Sequence, residues 1–182
     1  MKTDLSTYSN SDYKPGPGWK KFLWYLINIC FFRTGICPFS GFKVSLLRMF
    51  GARLGKGVVI KPYVNIKYPW LLSVGNFSWI GEKVWIDNLD KVEIGSHCCI
   101  SQGAMLLCGN HDYKKTTFDL VTQPITLEDG CWIAARSIVC PGVKCSEHSV
   151  LTVGSVATTD LGAYGIYAGN PAVKIRERII SA

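Results

Sequence analysis

Three histidines, His97, His111 and His148, are the side chains of this sequence best suited to proton transfer near neutral pH. An imidazole with an ordinary pKa of about 6.5 is largely neutral at pH 7 and can take a proton from a hydroxyl group. His111 lies between Asn110 and Asp112 in a polar segment, whereas the other two histidines fall within a regular repeat. We therefore take His111 as the candidate general base, and a solvated surface histidine is the alternative interpretation.

A metal site is not predicted for this chain. No two histidines have the spacing of four or five residues that paired ligands on one element often show, and no Cys-x-x-Cys pair is present. The eight cysteines fit buried, reduced thiols in a cytoplasmic protein. Residues 1–18 are polar and rich in proline and glycine, so they lack the apolar core of a signal peptide.

A six-residue repeat must position these side chains. Thirteen of its fourteen large positions are Leu, Ile or Val, and a second series of mostly small residues follows four places later. A fixed period of this kind indicates a solenoid, and six residues suit one short strand and a turn. Three hexads would form one triangular coil. The sequence thus predicts an all-β stack of about five coils that begin near Leu54, Val74, Ile94, Leu127 and Cys145.

The segments around the repeat divide the chain into four regions. They are a flexible arm at 1–18, an N-terminal helical cap at 19–53, the coils at 54–164 with a loop insertion at 107–126, and a C-terminal tail at 165–182. In the tail, Ala172–Ile180 is predicted to form a short helix.

The cap contains Trp19–Phe32, which is dense in aromatic and aliphatic residues. This segment is too short to cross a bilayer. It fits a helix that covers the open end of the stack, and it also fits an interfacial membrane anchor with Lys20, Lys21 and Arg33 on its flanks. A second amphipathic helix is predicted at Phe42–Phe50.

The net charge of +7 favours an anionic partner, such as a phosphorylated cofactor or a membrane face. Nucleic acid is not an expected partner, because no cluster of Arg and Lys alternates with aromatic residues and no reader motif is present.

Several motifs accompany the hexads. They are Gly109-Asn110-His111-Asp112, Asp129-Gly130-Cys131-Trp132-Ile133-Ala134, Pro141-Gly142-Val143 and Gly169-Asn170-Pro171-Ala172. Together they resemble the hexapeptide-repeat O-acetyltransferases, whose fold is a left-handed parallel β-helix. Arg48–Gly57, Tyr68-Pro69-Trp70 and the ending Ile175–Arg178 are most similar to the colanic acid biosynthesis acetyltransferases within that family. The resemblance, which spans Gly41 to Arg178, implies acetyl transfer from acetyl-CoA to a sugar hydroxyl in exopolysaccharide biosynthesis.

The resemblance also implies roles for single residues. His111 matches the general base of the family, oriented by a loop carbonyl or by Asp112, and the backbone amide of Ala135 matches an oxyanion donor. Asp87, Asn88 and Asn110 are the candidates for acceptor binding, although Asp87-Asn88 also fits a simple turn. The candidate contacts to coenzyme A are Ala134, Ala135, Val153, Gly154, Thr158, Lys174 and Arg176. Two positions depart from the family, because Thr159 replaces a frequent Lys and Val173 replaces an Arg found in some members.

The family further implies a homotrimer with active sites between neighbouring subunits. Its acceptor would be a sugar or a lipid-linked saccharide, met in the cytoplasm or at the inner face of the membrane. Two other functions remain open at this point: a non-catalytic β-helix scaffold, and a metal-dependent hydratase on the same fold.

Overall fold

The computed structural model describes residues 2–181, and short strands stacked as a three-sided parallel β-helix make up most of it. Met1 and Ala182, which belong to the predicted arm and the predicted tail, lie outside the described residues. The first side contains β1 (Arg53–Leu54), β4 (Leu72–Val74), β7 (Val92–Ile94), β12 (Ile125–Leu127) and β15 (Lys144–Cys145). The second side contains β2 (Val59–Ile60), β5 (Trp79–Ile80), β8 (Cys99–Ile100), β13 (Trp132–Ile133), β16 (Val150–Leu151), β18 (Gly165–Gly169) and β19 (Ala172–Glu177). The third side contains β3 (Asn65–Ile66), β6 (Trp85–Asp87), β9 (Met105–Leu107), β14 (Ile138–Val139) and β17 (Val156–Ala157).

Neighbouring coils pair in parallel with their large hexad positions in register. On the first side the pairs are Leu54 with Val74, Val74 with Ile94, Ile94 with Leu127, and Leu127 with Cys145. The predicted coil starts are therefore confirmed. The stack continues beyond the fifth coil, because Leu161 bridges Cys145 and β18 then pairs with β16.

The interior of the stack consists of the two hexad series. Thirteen of the fourteen large positions are at most 3% exposed, and Leu54, in the first strand, is the partly exposed member. In the second series Trp70 and Asp90 are the residues that do not become buried. Both lie just before the two-residue extensions, at irregular corners, as the sequence pattern predicts.

The corners of the coils need residues in the left-handed backbone region. The fourth residue of most hexads has φ between +55° and +81°, and glycine occupies several of these places. His97 (φ +57°) and His148 (φ +55°) occupy two of them, consistent with the tolerance of histidine for this conformation. His97 is exposed, whereas His148 is half-buried and its ring centroid lies 4.9 Å from that of Tyr164.

The helical cap consists of α1 (Gly18–Ile27), a π-helical turn (Asn28–Phe32) and α2 (Ser40–Met49). Trp24 fixes α1 to the first coil, because its buried indole nitrogen donates to the backbone oxygen of Ile66 at 2.8 Å. Its ring packs against Phe32 and Phe50 at centroid distances of 5.1 and 5.2 Å. Two short 3-10 helices cover Leu5–Thr7 and Pro69–Leu71.

The predicted C-terminal helix is wrong. Residues Ala172–Glu177 form β19, which pairs antiparallel with β18. A helix over Ala172–Ile180 would be shorter than the ~12–15 residues at which isolated helices gain stability in water. As a strand, this segment covers the edge of the second side, whose backbone groups would otherwise lie unpaired.

The insertion between the third and fourth coils is more ordered than a loop. It contains an antiparallel hairpin of β10 (Gly109–His111) and β11 (Leu120–Thr122), in which His111 pairs with Leu120. The hairpin gives His111 a defined position beside the stack.

Candidate active site

His111 lines a cavity of about 470 Å³ that is enclosed by several separate segments of the chain. The N-terminal arm, α1, the corners after β3 and β6, and the hairpin all contribute to its walls. The lining residues are Tyr8, Asn10, Tyr13, Pro15, Lys21, Lys67, Tyr68, Asp87, Leu89, Gly109, His111 and Leu120. We call this space the acceptor cavity.

The ring of His111 is held on two sides. Its Nδ1 lies 2.9 Å from the backbone oxygen of Phe118, and its ring stacks on the Phe118 ring at 4.4 Å and 6°. Because a carbonyl oxygen can only accept, Nδ1 must carry the proton of the neutral ring, which leaves Nε2 as the basic nitrogen. Of the two proposed orienting groups, the loop carbonyl has this role, while the Asp112 carboxylate accepts from the amide of Lys114 at 3.1 Å.

Asp87 is the acidic group of the acceptor cavity. Its Oδ1 lies 3.0 Å from Nζ of Lys67, and both side chains line the cavity. Gly109 keeps the adjoining space open: a Cβ at this position would lie 2.4 Å from the side chain of Leu89 and 4.0 Å from Oδ2 of Asp87. A carboxylate and an ammonium side by side can accept from one sugar hydroxyl and donate to another.

Asn88 and Asn110 do not reach this cavity. Asn88 is fully buried, and its amide accepts from the backbone nitrogen of Tyr68 at 2.9 Å and donates to the Tyr68 oxygen at 2.6 Å. The predicted sugar contact of Asn88 is therefore a structural bond between successive coils. Asn110 is exposed, and its side-chain oxygen accepts from the backbone nitrogen of His111 at 2.8 Å.

The N-terminal arm contributes residues that the sequence analysis did not select. The ring of Tyr8 lies 5.7 Å from the ring of His111. The hydroxyl of Tyr13 donates to the backbone oxygen of Leu89, and the amide of Asp4 donates to Thr116 at 2.9 Å. The arm thus lies against the hairpin and closes one side of the acceptor cavity. Two tyrosines within a polar segment are the only local signal of such a role.

The phenols beside the cavity are protonated near neutral pH. Burial raises the pKa of Tyr13, with smaller contributions from Tyr68 and Asp90. Burial and the nearby Asp87 carboxylate raise the pKa of Tyr68. Both groups therefore act as neutral hydroxyls.

A second cavity, of about 610 Å³, collects four of the residues predicted to bind coenzyme A: Ala134, Ala135, Val153 and Arg176. Arg178 also lines it, and its guanidinium donates to the backbone oxygens of Gly130 and His148 at 2.8 and 3.1 Å. The N–H of Ala135 has no hydrogen-bond acceptor within the described chain. A mainly apolar cavity that two arginines help to line suits a pantetheine arm and its phosphates.

Gly154, Thr158 and Lys174 lie outside the lining of this second cavity. Gly154 donates to the backbone oxygen of Ala135 at 3.0 Å, and Thr158 is exposed after β17.

The C-terminal hairpin has an irregularity that separates Lys174 from Arg176. Ile166 pairs with Arg176 and Tyr167 with Lys174, so β19 contains one extra residue between them. The bulge puts these two cations on opposite faces of the strand. Ile166 and Arg176 line the second cavity, whereas Lys174 forms an ion pair with Glu177 at 2.6 Å.

The two cavities have no lining residue in common within residues 2–181. A single chain therefore carries the predicted base and the predicted coenzyme cavity as separate surfaces.

Residues 2–181 contain no group of three His, Cys, Asp or Glu side chains that could hold a metal ion. Within the same range no helix is long and apolar enough to cross a bilayer. All eight cysteines are free, and Cys37, Cys98, Cys108, Cys131 and Cys145 are buried.

Comparison with known proteins places the site in a family context. No family model matches the chain. The colanic acid biosynthesis acetyltransferase WcaF of Escherichia coli (strain K12) is 37% identical over 177 residues, which cover 97% of both chains. A galactoside O-acetyltransferase of the same organism is 26% identical and covers 74% of this chain and 68% of its own. Among solved structures, a hexapeptide-repeat acetyltransferase from Vibrio cholerae in complex with acetyl-CoA has a TM-score of 0.80 at 19% identity, with 89% of this chain and 88% of that one covered. This likeness confirms the expected left-handed β-helix fold.

Proposed function

The chain belongs to the hexapeptide-repeat acetyltransferase family of WcaF, and we propose that it transfers the acetyl group of acetyl-CoA to a saccharide hydroxyl with His111 as the general base. The observation that carries the proposal is the contact of His111 Nδ1 with the Phe118 carbonyl oxygen at 2.9 Å. Its Nδ1 faces the Phe118 carbonyl, so Nε2 is free to take a proton, and the ring lines a polar cavity of suitable size for a saccharide.

The chemistry follows from these positions. Nε2 of His111 takes the proton of the acceptor hydroxyl while the oxygen attacks the thioester carbonyl. The tetrahedral intermediate carries an oxyanion, for which the unpaired N–H of Ala135 is our candidate donor. Collapse of the intermediate breaks the C–S bond, and the imidazolium returns the proton to the leaving thiolate of coenzyme A. The products are an acetyl ester and free coenzyme A.

We assign the acceptor to the cavity of His111. Asp87 and Lys67 can hold its hydroxyls, and Tyr8 offers an aromatic face to a sugar ring. The names of two relatives, a colanic acid biosynthesis enzyme and a galactoside O-acetyltransferase, support a saccharide. Asn88 is left out of this assignment because its amide is buried, and Asn110 because its oxygen is bound to the adjacent amide.

We assign coenzyme A to the second cavity. Ala134, Ala135 and Val153 would contact the pantetheine arm, and Arg176 is exposed at the cavity and available to a phosphate. The complex of the Vibrio cholerae protein with acetyl-CoA and that of a galactoside acetyltransferase with coenzyme A support this choice.

We further propose a cyclic homotrimer. The base and the coenzyme cavity share no lining residue in one chain, which supports an arrangement in which a neighbouring subunit brings its coenzyme cavity to His111. The threefold symmetry is what the family resemblance implies. We place this assembly in the cytoplasm at the membrane face, since α1 exposes 69% of Trp19 and 65% of Phe22 beside basic residues.

The test compares two histidines with the same substitution. His111→Asn should lower acetyl-CoA turnover by ~10²–10⁴-fold, because proton removal by a positioned base contributes that much. His97→Asn changes an exposed corner histidine and should leave turnover unchanged. Release of coenzyme A is followed with free and lipid-linked saccharides, and mass spectrometry locates the new ester. Full turnover by a folded His111→Asn protein would contradict the proposal.

A further inference from the structure

A third cavity, of about 430 Å³, lies beneath α1 and adjoins the acceptor cavity. Lys21, Lys67, Tyr68 and Asp87 line both spaces, so the two are contiguous. A molecule bound beside His111 can therefore extend into the space under α1, which the proposed acetyl transfer does not use.

The charge in this third cavity is not balanced. Lys21, Arg33 and Lys67 line it, and Asp87 is the one carboxylate among its lining residues. Asp87 is already paired with Lys67 at 3.0 Å. Neither Lys21 nor Arg33 forms an ion pair with a carboxylate anywhere in residues 2–181. Two cations therefore face one space without a counter-charge, which favours a dianionic ligand.

Four of the other lining residues are aromatic: Phe22, Trp24, Tyr25 and Trp85. Trp24 is buried, and its hydrogen bond to Ile66 fixes the position of α1. Phe22, Tyr25 and Trp85 are exposed, so their rings are free to contact the organic part of a ligand whose anion binds the cations.

A buried polar atom at this cavity also lacks a partner. Asn28 lines the cavity and is 6% exposed, and its Nδ2 donates to Oδ1 of Asn65 at 2.8 Å. Its Oδ1 has no hydrogen-bond partner within the described chain. Such an atom is unfavourable unless a donor meets it. A phosphate dianion offers no donor, so a water molecule or a hydroxyl next to the phosphate would have to meet this oxygen.

We infer that the third cavity is a phosphate subsite for the acceptor, so that the acceptor is a saccharide carrying a phosphate or diphosphate. Lys21, Arg33 and Lys67 bind the phosphate, and the saccharide extends past Asp87 to His111. This inference rests on the proposed function and specifies its acceptor class. The phosphate can come from a lipid diphosphate or from a nucleoside diphosphate, because both present the same anion.

The first test measures binding of inorganic pyrophosphate by calorimetry. Coenzyme A is present at saturation to occupy the other cavity with basic residues. Lys21→Gln and Arg33→Gln should each weaken pyrophosphate binding by about 10-fold, as expected for the loss of one charged hydrogen bond. Lys20→Gln is the matched control, because Lys20 lies on the same helix with Nζ 4.6 Å from the Trp70 ring and does not line the cavity. It should change binding by less than about 2-fold.

The result that would overturn the subsite is equal binding by the wild-type chain, Lys21→Gln and Arg33→Gln. Equal weakening by Lys20→Gln and Lys21→Gln would overturn it as well, since the effect would then reflect net charge alone. Absence of pyrophosphate binding to the wild-type chain would also overturn the subsite.

Two competitors identify the source of the phosphate. If the aromatic residues of the cavity contact a lipid, farnesyl diphosphate should displace pyrophosphate more effectively than uridine diphosphate does. If they contact a nucleoside, uridine diphosphate should be the more effective competitor. Displacement that depends on Lys21 supports the subsite in either case.

His111→Asn separates this inference from the proposed function, because it should abolish acetyl transfer and leave pyrophosphate binding intact. If pyrophosphate binding does not depend on Lys21 while His111→Asn is inactive, the subsite is refuted and the assigned base stands. If binding depends on Lys21 while His111→Asn is fully active, the assigned base is refuted and the subsite stands.

Discussion

The stacking of Phe118 on His111 predicts a measurable effect on turnover. Phe118→Ala removes the ring that lies 4.4 Å from the imidazole at an angle of 6°. It leaves the backbone carbonyl that accepts from Nδ1. The residue has φ +52°, which alanine adopts no less readily than phenylalanine, so the backbone of the hairpin should be preserved. The substitution therefore tests orientation of the ring without removing the base or its hydrogen bond.

The size of the effect follows from the lost stack. An aromatic pair contributes about 0.5–1.5 kcal/mol beyond its buried area. If this energy holds the imidazole in its reactive orientation, kcat should fall by roughly 2- to 13-fold, since about 1.36 kcal/mol corresponds to a tenfold change in rate. The KM for acetyl-CoA should stay the same, because Phe118 does not line the coenzyme cavity.

The assay measures release of coenzyme A under saturation by both substrates, with thermal unfolding recorded for each variant. Phe118→Tyr keeps the ring and should restore the wild-type kcat. A folded Phe118→Ala protein with unchanged kcat would refute the orienting role. A loss of kcat in both variants would show that the hairpin, and not the stack, is at fault.

Three further predictions address the arm, the coils and the cap. Tyr8→Ala should raise the KM for the acceptor by about 5-fold, because one stacking contact beside His111 is lost. The KM for acetyl-CoA should stay constant, and equal increases in the two KM values in steady-state kinetics would contradict the prediction. Gly95→Ala should destabilise the chain by about 1–3 kcal/mol, because a Cβ at this position would lie 2.8 Å from a backbone nitrogen of the next coil. The control is Gly18→Ala, whose Cβ would meet no atom within 4 Å, so its free energy of unfolding in urea should be nearly that of the wild type. Burial lowers the pKa of the fully buried Lys43 from its ordinary value of 10.5, so the folded chain binds this proton less tightly than the unfolded chain. The wild-type chain should accordingly gain stability relative to Lys43→Met as pH rises from the lowered pKa towards 10.5, and a pH-independent difference between their urea midpoints would refute this.

The coils were predictable because their signal is local. Each hexad buries one aliphatic residue in the interior, and this requirement repeats along the chain whatever the appended segments do. The coil starts from Leu54 to Cys145 therefore agree with the register of the strands. The tail was not predictable in this way, because β19 forms in response to the open edge of β18, which no local pattern records.

The site was predictable only in part. His111 stood out because it interrupts the repeat, and the structure places it at a cavity, while its role as a base stays a prediction. Asn88 has the same sequence signature as a sugar contact, since a polar residue at a corner can face solvent or bind the coil below. The structure places its amide on Tyr68, twenty residues earlier and thus one coil away. The contact of Tyr8 with His111 joins positions far apart in the chain, and no periodicity connects them.

The two cavities differ in what builds them, and this difference has a consequence for specificity. The coenzyme cavity is formed mainly by coil residues such as Trp132 and Val150, which pair with each other on neighbouring coils. The acceptor cavity is formed largely by segments attached to the stack, namely the arm, α1 and the hairpin. Changes in those segments leave the coil ladder intact, whereas changes at a coil corner such as Gly95 disturb it. If the two cavities bind acceptor and donor as proposed, acceptor choice can change with little loss of stability, whereas binding of the acyl donor depends on the integrity of the coils.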